Sequence, residues 1–477
     1  MRGPETYGHR RVLIIGADGL RPDLVDPELM PTYHALLGRG SLFTAFHSAF
    51  PTHTRVNMTT LTTGTKPGRH GVINNTMYVA GAAAPIDTAD PKQLMEFERL
   101  SGERVVLTPT LGDRLRARGE RLAVAACSTP GASLLWNPRN PQRILNAGTD
   151  YGDADLAAVR DKLGPPEADA GRTKYNACRW ATRALIDVLL DQPENRAITL
   201  WLTEPDASQH FYGLGSPEAL EGLRVVDECV ATVLDALATK GLAEGFDLLL
   251  VSDHGHSSVR RSGSLAEHLV EAREELDLGD LIAVADFVYS PKGEYDPAAL
   301  PRLADWLLER PWCGLLFTSV PALYGHRGVL PLELATGPSS HGRAPLLAVS
   351  PTWNHEANAF GVPGSVDTLT SYSPLKSTHG TASPYDMRAF CLGVGPRFAP
   401  GARIDVPCGT VDIAPTVWDL LGNDAPSASY GFDGGSLLAL AADTPVRRER
   451  LAAEGSREAV EVAHVGGRSY FLGSVAP

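Results

Sequence analysis

The chain has 477 residues, 43% of them hydrophobic and 21% charged, the composition of a globular protein with a large core. Its formal net charge of −13 argues against a broad nucleic-acid footprint, which needs clustered Lys and Arg. The same charge is compatible with one small anionic substrate if metal ions supply local positive charge.

In chain order, RVLIIGAD (residues 11–18) reads as a buried strand that ends on Asp18. PTHTRVNMTTLTTG (residues 51–64) places Thr54 after a proline-containing turn and at the start of a helix. The helical stretch LGDRLRARG precedes a strand over 121–127, and a helix over 177–190 precedes a strand over 197–203. A helix over 217–240 leads to a strand over 246–253, which ends on Asp253. Residues 259–375 read differently, with one charged helix (AEHLVEAREELD) and Pro/Gly-rich pieces between short apolar runs. The sheet pattern resumes with a strand over 388–395 and a helical segment over 411–422, and the charge run 447–458 reads as a solvated helix face. Strands alternating with helices predict an α/β fold, a three-layer α/β/α sandwich around a mostly parallel sheet. The core is expected over 1–258 and 376–477, with 259–375 inserted as a cap subdomain. Residues 77–110 and 129–170 read as loop-rich walls of the site.

No stretch approaches ~20 uninterrupted apolar residues, so no membrane association is expected. The run Val12 to Ile15 is also too short for a signal-peptide core. Cys127, Cys178, Cys229, Cys313, Cys391 and Cys408 form no CxxC pair and read as free thiols. The expected compartment is the cytoplasm.

Polar chemistry gathers where the expected strands end, the place at which open α/β sheets build their sites. DASQH puts Asp206 and His210 at i and i+4, on one face if the segment is helical. Asp253 and His254 are adjacent in VSDHGH, His379 lies in STHGT, and Asp18 lies in GADG. Asp and His suit zinc or a similar divalent ion, and this many ligands would fill two neighbouring sites. Each block alone is weak: a single strand-end Asp is more often a cap or turn residue. Thr54 has two local readings, an N-cap or a nucleophile activated by a cation at a helix N-terminus that favours anions; the local sequence, with Thr52, Thr59, Thr60, Thr62 and Thr63 crowded nearby, favours the N-cap.

GADG, PTHT with TTG and HGVINN, EPDASQH, VSDHGH and STHG, in that order, resemble the alkaline phosphatase superfamily. Within it the chain is most similar to the nucleotide pyrophosphatase/phosphodiesterase branch, over most of its length outside 259–375. The resemblance implies Thr54 as the nucleophile, with Asp18, Asp253 and His254 beside it on one metal. It implies Asp206, His210 and His379 as ligands of the other, and Asn75 as the contact to a phosphoryl oxygen. It further implies zinc as the usual metal, a phospho-threonine intermediate, and two in-line displacements on a small-molecule phosphate ester.

The chain also departs from that pattern. Arg55 follows Thr54 where nucleotide-cleaving relatives carry an aromatic residue; it reads equally as a substrate-carboxylate or phosphate contact and as a solvated helix residue. His53 and His256 flank site residues, and His256 stands where relatives often have an apolar residue; packing or hydrogen bonding to ligands is the favoured role for both. His341 and His355 read as loop residues of the cap. The favoured activity is cleavage of a phosphodiester or pyrophosphate bond. A phosphomonoesterase remains open, because Arg55 could hold the extra charge. A phosphonoacetate hydrolase is disfavoured by the absence of lysine in STPGAS (residues 128–133), and a sulfatase by the absence of cysteine at the nucleophile position. A metal-binding relative without activity is disfavoured by the full ligand set.

Overall fold

The structure, a computed structural model, describes residues 10–79, 82, 84–291, 293–339, 341–369, 375–422 and 426–475. The first nine residues, which belong to the stretch read for a leader, lie outside the described residues, as do 370–374 of the expected cap.

Eight strands form the central sheet: β1 (Arg11–Ala17), β2 (Gly40–Phe43), β3 (Arg121–Ala126), β4 (Ile144–Asn146), β5 (Asn195–Leu202), β6 (Phe246–Val251), β7 (Cys391–Val394) and β8 (Ala402–Ile404). Their order is β8-β2-β7-β6-β1-β5-β3-β4. All neighbours are parallel except β7, which runs antiparallel to β2 and β6. Every residue of β1 is buried. A strand covered on both faces has no polar side to alternate with, so RVLIIGA reads as a continuous apolar run.

Five helices matter for the site: α1 (Thr54–Thr63), α2 (Tyr175–Ala184), α3 (Asp206–Tyr212), α4 (Pro217–Thr239) and α5 (Ile413–Leu420). Leu13 and Ile15 point to one face, into a layer with Leu223, Val226, Val230 and Val233 of α4 and with α2. The i, i+3, i+7 spacing of those α4 residues is the apolar stripe of a helix lying on a sheet. Ser216 caps α4 by accepting from Ala219 N, and Pro217 occupies its first position. Val12 and Ile14 point to the other face, toward Met58 and Leu61 of α1 and Val417 and Trp418 of α5. Each such Leu, Ile or Val removed from water contributes about 1.5–3 kcal/mol. The molecule is therefore the expected three-layer sandwich.

Between β6 and β7 the chain builds two further sheets. One has the order Ile282–Val284, Phe287–Tyr289, Leu347–Pro351, Cys313–Thr318, Val329–Pro331. Helices Leu265–Glu275 and Ala299–Leu308 cover it and share a core of their own. Its opposite face meets the main body, where Phe317 lies 5.3 Å from Phe50 and 6.0 Å from Phe471 between ring centroids. The second sheet joins Ser257–Ser262, Trp353–Ala357, Pro363–Thr368 and Ser377–Thr378.

Two expectations are corrected. The charge run 447–458 is no helix: Val446–Leu451 is an edge strand paired with Ala459–Val465, which pairs in turn with Arg468–Val475. The buried residues of those two partners, Val460, Val462, Val465 and Phe471 among them, need a sheet, and the arginines take its solvated edge. The stretches read as loop-rich walls also hold helices, Pro91–Ser101, Pro130–Trp136 and Ala154–Leu163, each opened by a proline or an Asp cap.

Candidate metal centre

β6, β1 and β5 are adjacent and parallel, so their carboxyl ends lie side by side. Asp18 follows β1 directly, Asp253 comes two residues after β6, and Asp206 opens α3 four residues after β5. Three carboxylates far apart in sequence thus reach one crevice. Gly19, at φ +68, makes room: a Cβ there would stand 3.1 Å from His256 and 3.2 Å from Asp206.

Thr54 is the first residue of α1, and the preceding His53 is the cap residue without a side-chain cap bond. The N-cap reading of Thr54 therefore does not hold. Its Oγ1 instead lies 3.1 Å from His254 Nε2. The buried threonines further along α1 tolerate a helix because Thr59, Thr60 and Thr63 each donate to the carbonyl four residues back.

Two clusters form. Around His254 Nε2 stand Thr54 Oγ1 at 3.1 Å, Asp253 Oδ2 at 3.2 Å and Asp18 Oδ1 at 3.4 Å. Around Asp206 Oδ1 stand His256 Nε2 at 2.9 Å, His210 Nε2 at 3.3 Å and His379 Nε2 at 3.6 Å. His254 and His379 stack at 3.6 Å between centroids, which brings the clusters together.

The hydrogen bonding shows what these atoms face. His254 Nδ1 donates to Gly255 O, His210 Nδ1 to Ser377 O and His379 Nδ1 to Thr52 O, at 2.7–2.8 Å. A carbonyl only accepts, so Nδ1 carries a proton, and Nε2 is then the nitrogen of each ring that is left to offer a lone pair inward to a metal. Lone pairs and carboxylate oxygens at 3.2–3.6 Å repel unless a cation lies between them. Asp18 Oδ1 and Asp253 Oδ2 are buried without a hydrogen-bond partner, a costly arrangement that a metal would relieve. The donor set of carboxylate, imidazole and hydroxyl suits a divalent ion of the zinc type.

The electrostatics agree. Burial, and then the charge of Asp206, holds the Asp18 carboxyl well above its ordinary range. Burial and the neighbouring Asp18 do the same to Asp253. Burial also raises Asp206, but His210, His256 and His254 outweigh it and hold the group below the usual carboxylate range. Burial pushes His256 down to about 3, and burial with four neighbouring imidazoles pushes His379 well below its ordinary value.

The remaining expected residues lie at the rim. Asn75 Oδ1 accepts from the backbone N–H of Arg55 at 3.2 Å, which fixes the amide beside Thr54. Among the described residues no hydrogen bond uses Asn75 Nδ2. Arg55 is not solvated: its Nε donates to Thr88 Oγ1 at 2.7 Å, and its guanidinium lies 3.8 Å from Asp87. His53 lies 3.9 Å from Asp286 of the 259–375 segment, with its Nε2 buried and without a hydrogen bond. His341 and His355 contact Pro67 O and Tyr385 Oη instead of the clusters. Two contributors were not assigned roles from the sequence. Glu204, buried and pushed up to about 7 by that burial, accepts from Lys174 N and from both N and Oγ of Ser208, and so anchors the first turn of α3. Trp201 Nε1 donates to Asp18 Oδ2 at 3.2 Å.

The family model for type I phosphodiesterase / nucleotide pyrophosphatase matches residues 12–300, more than half of the chain. The chain belongs to this family. Among curated relatives, ectonucleotide pyrophosphatase/phosphodiesterase family member 1 of Mus musculus is 25% identical over 460 residues, covering 90% of this chain and 43% of the relative. Family member 7 of Homo sapiens is 26% identical over 258 residues, covering 54% of this chain and 50% of the relative. Venom phosphodiesterase of Naja atra is 24% identical over 263 residues, covering 54% of this chain and 27% of the relative. The chain therefore spans half or less of the length of each of these relatives. Both the Asp18–Thr54 cluster and the Asp206–His210 segment fall inside the matched span, whereas His379 lies beyond it.

Proposed function

We propose that the chain hydrolyses a phosphodiester or pyrophosphate bond of a small organic substrate through a phospho-threonine intermediate on Thr54, with two divalent metal ions, zinc by preference. The observation that carries this reading is the Thr54 hydroxyl: it lies 3.1 Å from His254 Nε2, the atom that Asp253 and Asp18 approach to 3.2 and 3.4 Å. Family membership and the names of the relatives support it.

Thr54, Asp18, Asp253 and His254 would hold one ion, and Asp206, His210 and His379 the other. Bound there, divalent ions lower the pKa of a coordinated hydroxyl and offset charge on phosphoryl oxygens. The chain supplies the rest. Thr54 Oγ attacks phosphorus in line with the departing ester oxygen, and its proton leaves with solvent. The N-terminus of α1 favours the anion held against it. Asn75 Nδ2 donates to a nonbridging oxygen, while its Oδ1 stays on the Arg55 amide. Water then displaces Thr54 from phosphorus and restores the hydroxyl. Arg55, tied to Thr88 and Asp87, steadies the Asn75 segment. The alternatives on the same scaffold are a phosphomonoesterase and a phosphonoacetate hydrolase-like enzyme.

Hydrolysis of bis-p-nitrophenyl phosphate and p-nitrophenyl phosphate, measured side by side with zinc, tests the reading. The diester rate is expected to exceed the monoester rate, and Thr54→Ala to lose about a thousandfold or more. A reversed ratio would move the assignment to a monoesterase. Activity retained in Thr54→Ala would remove the covalent intermediate.

A further inference from the structure

We infer that His256 is a fourth protein ligand of the metal site built on Asp206, His210 and His379, so that this site is a closed Asp–His–His–His set. The inference rests on the proposed function only for the presence of a divalent ion there.

Ligand atoms about 2.0–2.1 Å from a tetrahedral zinc stand about 3.3 Å from one another. Asp206 Oδ1 lies 2.9, 3.3 and 3.6 Å from the Nε2 atoms of His256, His210 and His379, a spread centred on that edge. All four ligand atoms fall within 4.8 Å of one another. The rings are also in mutual contact: His256 stands edge-on to His210 at 4.6 Å and to His379 at 5.2 Å between centroids, with planes at 73° and 62°. His256 is fully buried, so it cannot be a surface residue that strays inward.

Donation of a proton from His256 to Asp206 would satisfy one pair of atoms. It would leave the Nε2 lone pairs of His210 and His379 aimed at the same oxygen. A cation at the centre satisfies all four atoms at once. His256 differs from its neighbours in one respect: its Nδ1 is buried without a partner, whereas theirs donate to carbonyls. No acceptor therefore fixes its tautomer, and Nδ1 is available to take the ring proton when Nε2 binds metal.

The test uses the full chain loaded with cobalt(II) in place of zinc. A ligated imidazole gives a strongly shifted, exchangeable proton resonance from the nitrogen opposite the metal. In the wild type such a resonance is expected for each of His210, His254, His256 and His379, and in His256→Gln the one from His256 disappears while the others remain. The wild-type spectrum alone decides if the variant fails to fold. A wild-type protein that binds cobalt but shows shifted resonances only for His210, His254 and His379 would overturn the inference and leave the Thr54 reading untouched. A wild-type protein that binds no cobalt would overturn both.

Discussion

Trp201 shows how tightly one side chain couples the sheet to the candidate metal centre. It sits opposite Gly16 in the β1–β5 register, and its ring fills the space where a Gly16 side chain would be: a Cβ there would stand 2.1 Å from the ring. Only a glycine lets the indole lie flat and bring Nε1 to Asp18 Oδ2 at 3.2 Å. Trp201→Phe keeps most of that packing and removes the donor. Zinc affinity, measured by calorimetric titration of the metal-free protein, is expected to fall about 10–100-fold, with the melting temperature of the metal-free form little changed. Unchanged affinity would show that Asp18 needs no such orientation. At this scale the sequence was highly legible: Asp18, Thr54, Asp206, His210, Asp253, His254 and His379 do converge, because strand ends and short motifs place them. Trp201 and Glu204 were not legible, since an indole inside a strand and a carboxylate beside a proline declare their partners only in three dimensions.

Between elements, the 259–375 segment reaches the centre through one buried carboxylate. Asp286 lies in the turn between Ile282–Val284 and Phe287–Tyr289, beside Ala285 at φ 52. Its Oδ1 accepts from Asn74 Nδ2 at 3.1 Å, and Asn74 Oδ1 accepts from Asn75 N at 2.7 Å. A hydrogen-bonded chain thus runs from the inserted sheet to the residue proposed to touch the phosphoryl group. Asp286→Ala would leave a buried amide unpaired and let Asn75 drift. The diester turnover rate is expected to drop about tenfold or more at constant metal content. Asp286→Asn still presents an oxygen to Asn74 and is expected to retain most activity. Equal losses in the two variants would rule this bond out. The elements themselves were legible wherever apolar periodicity was long, as in α4 and β1. The segment 447–458 was misread because a charged edge strand and a charged helix face look alike, and the buried strands that decide between them come later in the chain.

Over the whole molecule, buried carboxylates tie stability to pH. Glu458 bonds Ser474 Oγ and Trp353 N, linking the C-terminal sheet to the inserted segment, and burial pushes it up to about 7 from an ordinary 4.5. Between those values the folded state holds a proton that the unfolded chain has released, so stability falls as pH rises across that window. Asp386 and Asp412, both pushed up to about 6 by burial, act in the same direction. In Glu458→Gln the decline of the urea midpoint from pH 4.5 to 7 is expected to be shallower than in the wild type, though not abolished. An identical decline would mean that Glu458 does not hold its proton in the fold.

The pairing of β6 with β7 has a consequence for how such a protein can be altered. The chain leaves the sheet at Val251 and returns at Cys391, and those two residues are register partners. Exit and re-entry are side by side, so everything between them is a loop closed by the sheet itself. Lengthening a closed loop costs only about 0.6 kcal/mol per doubling. The strand ends that carry Asp18, Asp206 and Asp253 are set by the parallel sheet and feel little of that length. The part of the excursion between His256 and His379 is thus an exchangeable graft on a fixed rootstock: it can be rebuilt for a new ligand while Asp253, His254 and His256 stay on the exit side of the sheet, provided that the graft still supplies the carboxylate that meets Asn74 and its return strand still brings His379 home.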